Sequence, residues 1–128
     1  MSVAVLGVGI DIVPVERIAS LLERHGERAM RRLFSDGERA FAATQAHPAE
    51  PLAARLAAKE AAYKALSGDE TARGIGWREI EVERQADGRP LLQLHGAAAE
   101  RFRALGGTRC HVSLTHAGGV AAAVVIIE

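Results

Sequence analysis

Apolar residues alternate with other types through VAVLGVGIDIV, residues 3–13, in the period of a β-strand. Ala4, Leu6, Val8, Ile10 and Ile12 fall on one face; Val3, Val5, Gly7, Gly9 and Asp11 fall on the other. The bulky first face reads as core. The second face loses its side chains at two glycines just before a carboxylate, so something other than a side chain could lie against the strand there. Pro14 suits the opening turn of a helix, where its missing N–H costs nothing. Val15, Ile18, Leu21 and Leu22 give that helix an apolar stripe, and Gly26 weakens its continuity. Ser35 to Glu38 has the form of a capping box and predicts a short helix through Phe41, ending before HPAEP. The run 52–66, dense in alanine and leucine, predicts the strongest helix, with Leu52, Leu56, Tyr63 and Leu66 as its apolar stripe. Beyond a polar, glycine-containing loop at 67–76, Ile80 and Val82 alternate with Glu79, Glu81 and Glu83 as in a half-exposed strand. Asp87-Gly88 turns that strand into PLLQLHG, and a helix through AAAERFRAL stops at Gly106-Gly107. CHVSLTH and VAAAVVIIE, joined by AGG, read as a hairpin with a buried second strand. The order β-α-α-α-ββ-α-ββ predicts an α+β fold, a mostly antiparallel sheet packed with helices.

Composition narrows the class. A chain of 128 residues is expected to form one domain, residues 1–128, large enough for a core and small enough for an oligomer to bury more. With 48% hydrophobic and 25% charged residues it falls outside the disordered classes. Its longest apolar runs are too short or too interrupted by glycine to span a bilayer, and no basic region precedes the first, so neither membrane insertion nor a signal peptide is expected. The single cysteine, Cys110, cannot form an internal disulfide and fits a reducing cytoplasm. A formal net charge of zero gives no overall pull toward nucleic acid, so any electrostatic recognition depends on how charge is distributed. Arg17, Arg24, Arg28 and Arg31 fall within a narrow arc of a continuous helix, with Glu16, Glu23 and Glu27 to one side. That arc is either a docking face for an acidic partner or a surface its own glutamates neutralise.

Two groups of residues could carry chemistry. Asp11 and Glu60 suit a hard cation such as Mg²⁺, which takes one or two carboxylates and completes its octahedron with phosphate and water oxygens. The alternative has Asp11 capping the next helix and Glu60 pairing with Lys64 on a wet surface. Lys59 and Lys64 straddle Glu60 and could offset polyphosphate charge, or simply line a solvated face. The strand CHVSLTH places His111, Ser113 and Thr115 on one side and Cys110, Val112, Leu114 and His116 on the other. Alternating hydroxyls and imidazoles could line a phosphate site, and His111 could act as a general base. No phosphate-loop, dinucleotide or nucleophile-elbow motif is present.

Four stretches, GVGIDIVPVERI at 7–18, FSDGERAF at 34–41, RLAAKEAAYKAL at 55–66 and HVSLTHAGGVAAAVVIIE at 111–128, together resemble the holo-acyl-carrier-protein synthases, the small bacterial phosphopantetheinyl transferases. GRP at 88–90 is a weaker match, and the loop at 67–76 is longer and more polar than is usual in that family. The resemblance implies an enzyme with the 4′-phosphopantetheinyl transferase fold, assembled as a homotrimer with active sites between subunits. It would transfer 4′-phosphopantetheine from coenzyme A to a serine of an apo acyl carrier protein and release 3′,5′-adenosine bisphosphate. By the same resemblance, Asp11 and Glu60 hold Mg²⁺, with Gly7 and Gly9 leaving the strand face open. Lys64 and Lys59 offset phosphate charge, while Arg55, Gly74, Gly76, His111, Ser113 and Thr115 seat coenzyme A. Glu60, Lys64 and His111 form the catalytic group, with Glu60 the first and His111 the second choice of proton acceptor. Arg17, Arg24 and Arg28 meet the acidic carrier. Two other functions remain open on sequence: a non-catalytic module that binds carrier protein or coenzyme A, and a small acyl-coenzyme A thioesterase.

Overall fold

The computed structural model describes residues 4–128, so Val3, assigned above to the glycine face, lies outside the described residues. The elements follow the predicted order: β1 (Gly7–Pro14), α1 (Val15–Leu33), α2 (Asp36–Ala43), α3 (Ala49–Leu66), β2 (Ile80–Arg84), β3 (Pro90–Leu94), α4 (Gly96–Ala104), β4 (Cys110–Ala117) and β5 (Val120–Ile127). Two 3₁₀ turns, Glu70–Gly74 and Trp77–Glu79, carry the chain from α3 to β2. Every strand pairing is antiparallel, giving a three-stranded sheet of order β1-β5-β4 and a separate β2-β3 hairpin. The β4-β5 turn is closed by Gly118 and Gly119, both at positive φ, as a two-residue hairpin of the favoured twist requires.

β5 runs through the middle of the larger sheet, and Ala121, Ala123, Val125 and Ile127 turn inward beneath α3. The faces of β1 are the reverse of expectation. Val8, Ile10 and Ile12 are 58%, 63% and 62% exposed, whereas Gly7, Gly9, Asp11 and Val13 face α3. A Cβ on Gly9 would stand 1.8 Å from the carbonyl oxygen of Ala61, and one on Gly7 2.1 Å from that of Ala65. The emptied track therefore holds the backbone of α3, and no open face is left there for a ligand.

α3 begins at Ala49, ahead of the predicted start, and carries Pro51 in its first turn, where a proline is tolerated. Alanines at 53, 54, 57, 58, 61, 62 and 65 leave it buried on nearly every side, with Leu52, Leu56 and Leu66 filling the core. Tyr63 is half-exposed, outside the stripe predicted for it. α1 is interrupted at Gly26, whose φ of 54° and ψ of −137° are not helical. The predicted capping box is formed: Glu38 N–H donates to Ser35 Oγ at 3.2 Å and Ser35 N–H donates to Glu38 Oε1 at 2.8 Å. Among the described residues no helix is long and apolar enough to cross a membrane.

Candidate active site

The contact between β1 and α3 brings two acids together. Gly9 lets the strand settle onto Ala61, and the Asp11 carboxyl, two residues on, then meets Glu60 on the helix. Lys64 does not pair with Glu60, its neighbour one turn away. Its ammonium reaches across to β1, donating to Asp11 Oδ1 at 3.0 Å and to the carbonyl of Ile10 at 2.9 Å. Glu60 is met from α1, where the Arg17 guanidinium donates to Oε1 at 3.3 Å. Asp11 does not cap α1, whose N-cap is Pro14 with no side-chain bond.

Electrostatics at this junction separate the two acids. Burial, followed by hydrogen bonding and charge repulsion from Asp11, pushes the Glu60 carboxyl up to about 7, against the pull of Arg17. For Asp11, burial works in the same upward direction but is outweighed by the neighbouring Glu60 carboxyl and the Lys64 ammonium, and its pKa is lowered. The second oxygen of Asp11, Oδ2, is buried with no hydrogen-bond partner. Two carboxyls in contact, one with an orphaned buried oxygen, fit a hard divalent cation. Among the described residues no cluster of three or more His, Cys, Asp or Glu could hold a metal, so a cation here would rely on a ligand's oxygens to complete its shell.

The remaining candidates divide by position. Arg55, 6% exposed, lies over the ring of Phe41 at 4.4 Å from its centroid and donates to the carbonyl of Pro51 at 3.2 Å, leaving its Nε buried without a partner. It lines a cavity of about 330 Å³ with Phe41, His47, Arg84, Thr115 and His116. The Arg84 guanidinium also stands over Phe41, 5.0 Å from the ring centroid, so two cations share one aromatic ring at this cavity. Sequence reasoning missed Arg84, for a lone arginine at the end of an exposed strand gives no signal.

Lys59 requires a correction. It is fully buried, with its ammonium 2.8 Å from Glu38 Oε1 and bonded to the carbonyls of Trp77 and Ile80. All three of its donors are used inside the protein, so it offers no free charge to a phosphate. Burial, opposed by Glu38, lowers its pKa. Glu38, read from sequence only as a helix cap, is the partner that reasoning missed.

Gly76 borders a mainly apolar cavity of about 250 Å³ with Lys59, Tyr63, Ile75, Trp77 and Ile80, whereas Gly74 lies outside it. His111, Ser113 and Thr115 stand on the outer face of the sheet, in register with Val8, Ile10 and Ile12 across β5. His111 Nε2 is 3.0 Å from Glu128 Oε1. Asp11 and Glu60 occupy the opposite face, so the sheet itself separates His111 and Ser113 from them within one chain. As a catalytic base in its own chain's acid pair, His111 is therefore ruled out by position.

The arginine arc assumed an unbroken helix, and the break at Gly26 divides it. Arg17 and Arg24 line one groove with Leu21 and His25. Arg28 lines another, of about 410 Å³, with Leu21, His25, Arg32 and Trp77. The shared Leu21 and His25 join the two grooves into one basic surface that reaches Glu60 through Arg17, while Arg31 turns to Glu27 at 3.8 Å.

The family model described as the 4′-phosphopantetheinyl transferase superfamily matches residues 7–125. A holo-[acyl-carrier-protein] synthase of Nitratidesulfovibrio vulgaris is 50% identical over 124 residues, covering 97% of this chain and 98% of that protein. Its counterpart from Koribacter versatilis is 44% identical over the same span and coverage. Among solved structures, a synthase–coenzyme A complex from Chronobacterium ammoniagenes superimposes with a TM-score of 0.84 at 33% identity, covering 98% of each chain. The Neisseria meningitidis holo-[acyl-carrier-protein] synthase gives 0.85 at 27% identity, covering 98% of this chain and 99% of that one.

Proposed function

We infer, from the premise that this chain belongs to the 4′-phosphopantetheinyl transferase superfamily, that it is a holo-acyl-carrier-protein synthase. It moves 4′-phosphopantetheine from coenzyme A to a serine hydroxyl of an apo acyl carrier protein and releases 3′,5′-adenosine bisphosphate. The observation that carries this reading is the Asp11–Glu60 contact with its orphaned oxygen, flanked by Lys64 and Arg17. Asp11 and Glu60 would hold Mg²⁺, which when bound supplies positive charge against the diphosphate of coenzyme A. Lys64 lies at hydrogen-bonding distance of Asp11 and adds a second cation where charge develops on the leaving phosphate. Glu60, beside Asp11 and Arg17, is the acid placed to receive the serine proton.

The nucleotide end falls to the cavity of Arg55, Arg84, His116 and Glu50, where the two guanidiniums suit phosphate oxygens and His116 Nδ1 stands 3.8 Å from Glu50 Oε2. The basic surface from Arg17 and Arg24 to Arg28 suits an acidic carrier and delivers it beside Glu60. A homotrimer is supported by the exposed apolar face of Val8, Ile10 and Ile12, a strip that a neighbouring copy would cover. It is supported also by the division of predicted residues between two sheet faces, since a neighbouring copy could bring His111 and Ser113 to another chain's acid pair. The lone thiol, Cys110, favours a cytoplasmic location.

The test incubates the protein with coenzyme A, Mg²⁺ and apo acyl carrier protein and weighs the carrier intact. A carrier heavier by one phosphopantetheine is expected, and none when Asp11 is changed to Ala. An unmodified carrier across several partners overturns the reading; free thiol released from an acyl-coenzyme A without Mg²⁺, as water cleaves its thioester, would indicate a thioesterase instead.

A further inference from the structure

One buried ion pair is unused by the chemistry above. Glu38 is 1% exposed and Lys59 is wholly enclosed. Glu38 Oε1 accepts from Ser35 N–H and lies 2.8 Å from Lys59 Nζ, while Oε2 accepts from Val82 N–H at 2.8 Å. The ammonium of Lys59 also ties the carbonyls of Trp77 and Ile80. One knot thus joins α2, α3, the Trp77–Glu79 turn and β2. Burying two charges costs several kcal/mol per ion, and an apolar pair of similar volume is often as stable or more so. Net stability is therefore a poor account of why this pair is here.

α3 supplies another. Because alanine covers most of its surface, it has no broad apolar stripe and only shallow ridges to lock its rotation against its neighbours. Lys59 and Glu60 are consecutive, so their side chains leave the axis about 100° apart. Clamping one sets where the other points. We propose that Glu38 and Lys59 are positioning residues: they fix the rotation of α3 so that Glu60 faces Asp11 on β1, and they hold the Trp77 turn at the end of the basic groove. This rests on the reading of Asp11 and Glu60 as a divalent-cation pair.

The test measures Mn²⁺ binding by paramagnetic resonance with coenzyme A present to complete the cation's shell, thermal midpoint, and kcat and KM for the carrier protein. It compares the parent, Asp11→Asn, and the double variant Lys59→Met/Glu38→Gln, in which neither charge remains. The double variant is expected to stay folded with a midpoint close to the parent's, to bind Mn²⁺ roughly tenfold more weakly, and to lose kcat with KM for the carrier little changed, the scale seen when partners behind metal ligands are removed. A merely structural pair would lower the midpoint and leave the affinity of the folded fraction intact. Mn²⁺ affinity and kcat within about twofold of the parent in a folded double variant overturn the proposal. Should that variant not fold, Glu38→Asp decides: it keeps the charge but is one methylene too short to reach both Val82 and Lys59, and parent-like Mn²⁺ affinity there overturns the proposal equally. A parent that binds no Mn²⁺, or an Asp11→Asn variant that binds it as well as the parent, overturns the cation reading and this inference together. Unaltered binding in the Glu38 and Lys59 variants alone overturns only the inference.

Discussion

Gly9→Ala is the sharpest probe of how the acids are brought together. The added methyl would start 1.8 Å from the carbonyl oxygen of Ala61 and 2.7 Å from its carbon. Reaching the 3.0 Å below which real Cβ atoms essentially never stand needs 1.2 Å of retreat along that contact. The opposing atoms are helix backbone, which cannot swing aside like the end of a side chain. β1 is also held to β5 along its whole length, so the retreat must move the sheet or the helix. Overpacking of this kind costs about 1–3 kcal/mol and sometimes more, and a backbone obstruction belongs at about 3 kcal/mol or above. For a chain of this size that corresponds to a fall in the thermal midpoint of roughly 10 °C. Equilibrium urea denaturation of Gly9→Ala beside Gly37→Ala gives the measurement. At Gly37 a new Cβ meets only ordinary contacts, with Glu81 Oε2 at 3.6 Å and Ser35 Oγ at 3.9 Å. That control, in the first turn of α2, is expected to be neutral or stabilised by up to about 1 kcal/mol. If Gly9→Ala unfolds within about 1 kcal/mol of the parent, the backbone-to-backbone contact is not as described.

Three further expectations concern charge and assembly. The Glu60 carboxyl, raised by burial and Asp11 from its ordinary 4.5 to about 7, favours the folded state more when protonated. The metal-free protein should therefore lose stability through this group as pH rises from about 4.5 toward 7, and Asp11→Asn should reduce that slope while leaving the part that burial supplies; a ¹³C titration of Glu60 with an ordinary midpoint would refute it. Replacing Arg17 and Arg24 with Glu should weaken carrier binding at least tenfold and flatten its salt dependence, because like charges then face an acidic partner; unchanged affinity and salt slope by fluorescence anisotropy would remove the docking surface. Ile10→Glu places a charge in the exposed apolar strip and should shift sedimentation toward the single chain without lowering the monomer's stability by more than about 0.5 kcal/mol; an unchanged sedimentation coefficient would discard that face as an interface.

The element order and the antiparallel pairing were legible because each signal was local. The capping box at Ser35, the Asp87-Gly88 turn and the diglycine at 118–119 depend on a few neighbouring residues, and all appear where the sequence puts them. The Asp11–Glu60 pairing was legible through resemblance; the contact that makes it possible was not. Alternation sorts the side chains of β1 into two faces but cannot say what covers either, and here a helix backbone lies on the glycines while the bulky residues face outward. The Lys59 error has the same origin. A lysine in a helix looks alike in sequence whether it meets solvent or a carboxylate 21 residues earlier, and only the packing of α2 and β2 distinguishes them. The division of the arginine arc was hinted at by Gly26, but its left-handed φ sets the direction of the second half, which no spacing rule supplies.

At the crossing of β1 and α3, main chain rests on main chain, and how closely strand and helix approach is gauged by the peptide skeleton. Apolar core residues elsewhere can be exchanged by a designer with this approach unaltered, so long as glycine stands at positions 7 and 9. The tolerance for error is correspondingly one-sided: a single methyl at the crossing changes that approach, whereas a methyl on Gly37 meets only ordinary contacts.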